Sequence, residues 1–145
     1  MNTDVDIRPA NAGDAAQVAV LIRQLGYEMA PDTLRGKLAQ LAAGGTDQVL
    51  VAASGERLLG CIGLHAMPLL HAEGALGRIT ALVIDEAHRG HGIGHELMMA
   101  AHAWFKAMGC LRFEVTSGDH RERAHRFYER HGYKRQGQRL TRLAA

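Results

Sequence analysis

The sequence predicts a mixed α/β fold, one domain built around a central sheet, and three observations carry that expectation. Short apolar runs of strand length are interspersed with longer stretches whose apolar residues recur every three or four positions. Glycine or proline punctuates most changes from one pattern to the other. The chain has 145 residues, 47% of them hydrophobic and 22% charged, which fits a globular domain with a single core.

The elements follow in order. DVDIRP is a short strand ending at Pro9. Asp14, with Gln17 three residues on, predicts a capping box, and Ala15, Val18, Ile22 and Leu25 follow at helical spacing. LGYEMAPD reads as a loop. After Asp32, the residues Leu34, Leu38 and Leu41 mark a second amphipathic helix, stopped by Gly44-Gly45. QVLVAAS and RLLGCIGLH form a hairpin through the tight turn Ser54-Gly55-Glu56. AMPLLHAEGALG, with Pro68 and Gly74, reads as a loop.

RITALVI is a strand that runs directly into RGHGIG. Ile93, Leu97, Ala101, Trp104 and Met108 then define one helical stripe, which Gly109 terminates. LRFEVTS is a further strand. Ala124, Phe127, Tyr128 and His131 share a face of the next helix, and Gly132 ends it. From Tyr133 the chain is expected to return as one or two strands. The order is β-α-α-β-β-β-α-β-α-β, a mixed α/β arrangement.

Composition narrows the function classes. The formal charge is +2, with positive residues concentrated in HRERAHRFYERHGYKRQGQRLTR. Acidic residues are interleaved there, and the chain offers only three Phe, three Tyr and one Trp for base stacking. Affinity for a small anion fits better than a nucleic-acid partner. No apolar stretch approaches a membrane span, and MNTDVDIRPA lacks an apolar signal region, so a cytoplasmic protein with no membrane partner is expected. Cys61 and Cys110 lack the spacing of a zinc or redox pair and read as buried, reduced thiols. His91, His95 and His102 share a helix face, but HELMM lacks the second histidine of H-E-x-x-H, so no metal site is predicted.

RGHGIG, residues Arg89 to Gly94, has the chemistry of a phosphate cradle. Glycines let backbone amides converge, the following helix start carries about half a positive charge, and Arg89 adds a permanent cation. Two known cradles fail to match. A dinucleotide fingerprint needs glycine where His95 stands, and a nucleotide P-loop needs Lys-Ser/Thr where His95-Glu96 follows Gly94. What remains is strand, short acidic turn, R-x-x-G-x-G and helix.

In that form LVIDEAHRGHGIGHELM resembles the acetyl-CoA-binding motif of the GNAT N-acetyltransferase superfamily, V-x-x-x-x-R/Q-x-x-G-x-G/A. A second family pattern, A-x-x-F-Y-x-x-x-G-F/Y, matches Ala124 through Tyr133, and IRPANAGDAAQVAVLI is similar to the family's first strand and helix. Within the superfamily, GLHAMPLLH, GRITALVI, AHRFYERHGY and the basic C-terminal segment are similar to the aminoalkylphosphonate N-acetyltransferases, which acetylate small amines bearing a phosphonate.

The resemblance implies a single GNAT-like domain over residues 1–145: a mostly antiparallel sheet, splayed at the acetyl-CoA site, with about four helices. It implies acetyl-CoA as cosubstrate, a small-molecule primary amine as acceptor, and a homodimer. The pyrophosphate would rest on Arg89, Gly90, His91, Gly92, Ile93 and Gly94, with His95 opening the helix. The pantetheine arm would pair with backbone of Leu82, Val83 and Ile84. The family's usual proline in the turn is replaced by Glu86. Tyr128 matches the tyrosine that protonates the departing thiolate; a phenol with a reference pKa near 10 suits that task.

The general base is open, because Ala81 stands where many relatives carry glutamate. Glu114, Glu73, His71, His65 and His120 are alternatives, as is a water relay. Arg121 replaces a common asparagine. With His65, His71 and Arg78 it offers positive charge to an anionic acceptor. Two other readings are acetylation of a protein N-terminus or lysine, and a non-catalytic, sensory CoA-binding module.

Overall fold

Five strands pair consecutively into one sheet, and the last pairing gives the sheet its functional shape. The structure, a computed structural model, describes residues 4–116 and 122–145. It comprises two compact units, Met1–Val115 and Thr116–Ala145. In the first, β1 (Asp6–Pro9), β2 (Asp47–Ser54), β3 (Arg57–Pro68), β4 (Ala75–Ile84) and β5 (Cys110–Val115) lie in the order β1-β2-β3-β4-β5. All pairs are antiparallel except β4 with β5. A parallel pair needs a long crossover, and α3 (Ile93–Ala107) supplies it. The unit also holds α1 (Ala15–Leu25) and α2 (Pro31–Ala43), and the second unit holds α4 (Glu122–Arg130). The mixed, mostly antiparallel α/β class and, among the described residues, the four α-helices are as expected.

Val18 and Leu21 of α1 and Leu34 and Leu38 of α2 pack with Val51, Cys61 and Val83 of the sheet. Leu97, Met98 and Phe105 of α3 are wholly buried, and the Phe105 ring lies so close to Gly77 that a Cβ there would meet it at 2.5 Å. Side chains of this size contribute about 1.5–3 kcal/mol each when fully buried. Ile93, Leu97 and Ala101 of the expected stripe are buried, and the stripe departs from expectation at its C-terminal end. Phe105, not Trp104, enters the core, because Gly77 leaves room for its ring; Trp104 and Met108 are only partly buried.

Other differences have local causes. The capping box uses Asn11 and Asp14: the Asn11 side chain accepts from the Gly13 amide at 2.9 Å, and Asp14 accepts from the Asn11 amide at 2.9 Å. Gln17 instead reaches the hairpin, donating to the Glu56 carbonyl at 2.7 Å and accepting from the Leu58 amide at 2.8 Å. The second helix begins at Pro31, whose ring presets the first helical φ. Half of the expected loop 66–77 is strand, since Ala66, Met67 and Pro68 pair with Gly77, Leu76 and Ala75. Proline is tolerated there because it ends its strand. LRFEVTS stays paired only to Val115. No strand forms from Tyr133 onward among the described residues: the tail lacks apolar alternation, and Leu140 and Leu143 are exposed.

Candidate active site

The sheet opens at one place, within β4. Pairing of β4 with β5 stops at Ile79↔Val115, whereas pairing with β3 continues to Ile84. Between these points the register slips and Thr80 becomes an extra residue in β4, a bulge that bends the strand. The Thr80 hydroxyl occupies space over Gly63, where a Cβ would meet it at 2.6 Å. From Ala81 to Ile84, β4 has no strand on its outer side among the described residues. Leu82, Val83 and Ile84 therefore present strand edge to which an extended amide-containing chain can pair.

Beyond Ile84 the chain is knotted by Asp85. Its carboxylate accepts from Gln24 of α1 at 2.9 Å, faces the His88 ring nitrogen Nδ1 at 2.9 Å and meets the Arg57 guanidinium at 3.4 Å. Its amide donates to the Leu59 carbonyl at 2.8 Å, while the Glu86 amide donates to Gln24 at 2.9 Å. These bonds, chiefly those from Gln24 and then His88, hold the Asp85 carboxyl below the usual carboxylate range. Side-chain bonds thus stiffen a turn that has Glu86 in place of proline. Sequence reading missed Gln24, Asp85 and His88. The three-residue spacing of Asp85 and His88 was the available local signal; Gln24 carried none.

The knot delivers RGHGIG to the start of α3. Arg89 Nε donates to the Ile84 carbonyl at 3.2 Å, closing the loop. Gly90 and Gly92 have φ of +84° and +81°, which L side chains adopt only with strain, and nothing lies within 4 Å of a Cβ at either. The loop is accordingly open at both positions. No side chain caps α3, whose start carries the helix's partial positive charge. An uncapped helix end behind an open glycine loop fits a pyrophosphate. His91 and His95 are exposed at this end of the helix, whereas the His102 ring packs 5.0 Å from Phe113.

On the other side of the bulge, four ionisable residues lie abreast across the sheet. Asp47 pairs with His65, His65 with Arg78, and Arg78 with Glu114. Direct cross-strand partners project from one face. His65 Nδ1 lies 2.8 Å from Asp47 Oδ1, and the Arg78 guanidinium is ion-paired with Glu114. Arg78 Nε is buried with no hydrogen-bond partner among the described residues. Such an atom normally costs 1 kcal/mol or more and calls for an explanation. The row therefore gathers the expected residues His65, Arg78 and Glu114, and adds Asp47. His71 and Glu73 are not gathered into it. They are exposed in the tip joining β3 to β4, at the opposite end of β4 from the cradle, roughly 30 Å along a ten-residue strand.

In the second unit, Tyr128 lies on α4 with Phe127 and Tyr133 against it, at ring-centroid distances of 5.5 and 5.9 Å. Burial and then Tyr128 raise the Tyr133 phenol, which stays protonated. The expected candidates His120 and Arg121 lie outside the described residues. Both cysteines are buried and free, and burial pushes the Cys61 thiol up to about 12. Among the described residues, no three His, Cys, Asp or Glu side chains are grouped to hold a metal ion, and no helix is long and apolar enough to cross a membrane.

Known proteins share this fold. The profile of the Acetyltransferase (GNAT) family matches residues 18–133, which span both units. The aminoalkylphosphonate N-acetyltransferase of Salmonella typhimurium is 32% identical over 141 residues, 94% of this chain and 89% of that protein. A Bacillus halodurans C-125 structure described as a transcriptional regulator superposes with a TM-score of 0.87 at 26% identity, covering 96% of this chain and 99% of that one. Glucosamine-6-phosphate N-acetyltransferase from Arabidopsis thaliana shares the fold, with a TM-score of 0.81 at 18% identity over 97% and 99% of the two chains.

Proposed function

The chain belongs to the GNAT family of acetyltransferases and is an N-acetyltransferase, and from that premise we propose that it acetylates the primary amine of a small, anionic metabolite from acetyl-CoA. The observation that carries the acceptor class is Arg78. Its buried, unpartnered Nε and its Glu114-paired guanidinium stand at the foot of the splay, beside His65. A planar cation whose side chain is 42% exposed suits a phosphonate or carboxylate. The Salmonella relative, by its name, takes an aminoalkylphosphonate.

The residues divide the work along β4. Arg89 through Gly94, with His95, hold the pyrophosphate on backbone amides and the helix start. Leu82, Val83 and Ile84 pair with the amide-bearing arm, which directs the reactive end toward the bulge at Thr80. Bound acetyl-CoA supplies an activated thioester. Arg78 binds the acceptor's anion and so orients its amine, which lowers the entropic cost of the encounter.

Tyr128 donates its phenolic proton to the leaving sulfur. Transfer is direct, in a ternary complex. The two cysteines are poor nucleophiles, since burial raises both thiols and a thiol reacts as thiolate.

Initial rates with acetyl-CoA and a matched panel test the acceptor class: aminoalkylphosphonates, amino acids of equal length, the corresponding neutral amines, and peptides with free N-termini or lysine. The anionic amines are expected to give the highest kcat/KM. Preference for neutral amines or peptides would remove the assignment.

A further inference from the structure

We propose that His65, oriented by Asp47, is the general base that takes the proton from the acceptor ammonium. The assignment rests on the acetyl-transfer reading above and adds a residue to it. A primary amine with a reference pKa near 10.4 is neutral in only about one molecule in 10³ to 10⁴ at pH 7, and only the neutral form attacks. A proton acceptor near the amine therefore raises the rate by typically 10²–10⁴-fold.

Among the expected bases that lie in the described residues, His65 alone keeps the required atom. The Glu114 carboxylate is occupied by Arg78. Glu73 and His71 sit exposed at the hairpin tip, beyond Pro68 and Ala75. His65 Nδ1 lies 2.8 Å from Asp47 Oδ1. A carboxylate only accepts hydrogen bonds, so the ring's hydrogen belongs on Nδ1, and Nε2 keeps its lone pair. The side chain is 35% accessible, enough for a small acceptor to reach. The charged groups in its row are Asp47 on one side and Arg78, backed by Glu114, on the other. An acceptor whose anion sits on Arg78 thus brings its amine alongside His65. The two residues face each other across β3 and β4 next to the bulge at Thr80, where the reactive end of the splay lies.

The step balances. Nε2 of His65 takes one proton from the ammonium, and Asp47 stabilises the resulting imidazolium. The freed lone pair forms the C–N bond as the C–S bond breaks. Tyr128 gives its proton to the sulfur and regains one from the nitrogen, which becomes the amide. The imidazolium then releases its proton to water. Ammonium and thioester yield amide, thiol and one proton, with no further reactant.

Steady-state kinetics over a pH series, with one anionic amine and a fluorinated analogue of lower basicity, test the assignment. His65→Gln, with His65→Asn as a second variant in case one fails to fold, should lower kcat/KM by ~10²-fold or more for the basic amine and much less for the fluorinated one. The acid limb of the wild-type profile should disappear, while acetyl-CoA affinity stays the same. Asp47→Asn should lower kcat with little change in amine KM, and Asp47→Glu should restore part of it, as expected of a positioning residue. Folded His65 variants with wild-type kcat/KM and an intact acid limb would overturn the assignment and leave the acetyl-transfer reading standing. A wild type that acetylates no amine would remove both.

Discussion

Tyr133 closes edge-on against Tyr128 across the turn that ends α4, with ring centroids 5.9 Å apart. The turn is a Schellman motif: the Tyr133 amide donates to the Tyr128 carbonyl at 3.1 Å and the Gly132 amide to Glu129 at 3.1 Å, with Gly132 at φ +90°. The contact between the residue after the glycine and the third residue from the helix end is the one this motif favours. The turn thereby fixes the ring of Tyr128. Tyr128→Phe keeps the packing and loses the proton. It should lower kcat by ~10²-fold with little change in acetyl-CoA affinity. An unchanged kcat across the pH range would exclude Tyr128 as the acid.

Arg89 closes the loop onto the Ile84 carbonyl through Nε, which leaves its other donors for the phosphate in the function proposed above. Arg89→Ala should weaken coenzyme A binding by about 1–3 kcal/mol, read by calorimetry. Equal affinity in the variant would mean that the backbone amides alone hold the pyrophosphate.

Arg78→Met removes the cation while keeping much of the stem's bulk. It should raise KM for an anionic amine by ~10-fold or more, the equivalent of a lost charged hydrogen bond at about 1.5–3 kcal/mol. KM for the matching neutral amine should move little. Equal effects on both amines would show that Arg78 serves the sheet rather than the acceptor.

Stability should depend on pH through Asp14. Its carboxylate, almost fully buried, accepts two bonds from Arg8 at 2.8 and 2.9 Å. Those bonds, ahead of the backbone bond from Asn11, hold it below the usual carboxylate range. A lowered folded-state pKa gives stability that is present above the unfolded value of about 3.9 and lost as pH falls through the folded value. Asp14→Asn should therefore cost about 1–3 kcal/mol near pH 7, measured by denaturant melts, and progressively less below about pH 4. A constant difference across that range would refute the linkage.

What could be read from the sequence was what neighbouring residues decide. RGHGIG and AHRFYERHGY are local patterns, and each builds the turn its glycines imply: the open loop at Gly90 and Gly92, and the Schellman turn at Gly132. The α3 stripe is right at Ile93, Leu97 and Ala101 and departs at Trp104, because the choice between Trp104 and Phe105 depends on Gly77, on another element. The Asp47–His65–Arg78–Glu114 row depends on three strand registers and on a bulge at Thr80. A one-residue slip would turn any of these side chains to the other face, and no local pattern sets that. His65 and Arg78 were recognisable as charged candidates; that they face each other was not.

The central claim is direct acetyl transfer from acetyl-CoA to a small anionic amine, and product analysis tests it most directly. Purified protein is incubated with acetyl-CoA and an aminoalkylphosphonate, and both free thiol and acetylated amine are quantified by mass spectrometry. The expected result is amine-dependent release of thiol, matched one for one by N-acetylated product. Thiol released without acetylated amine, or coenzyme A bound without any turnover on small amines, would contradict it.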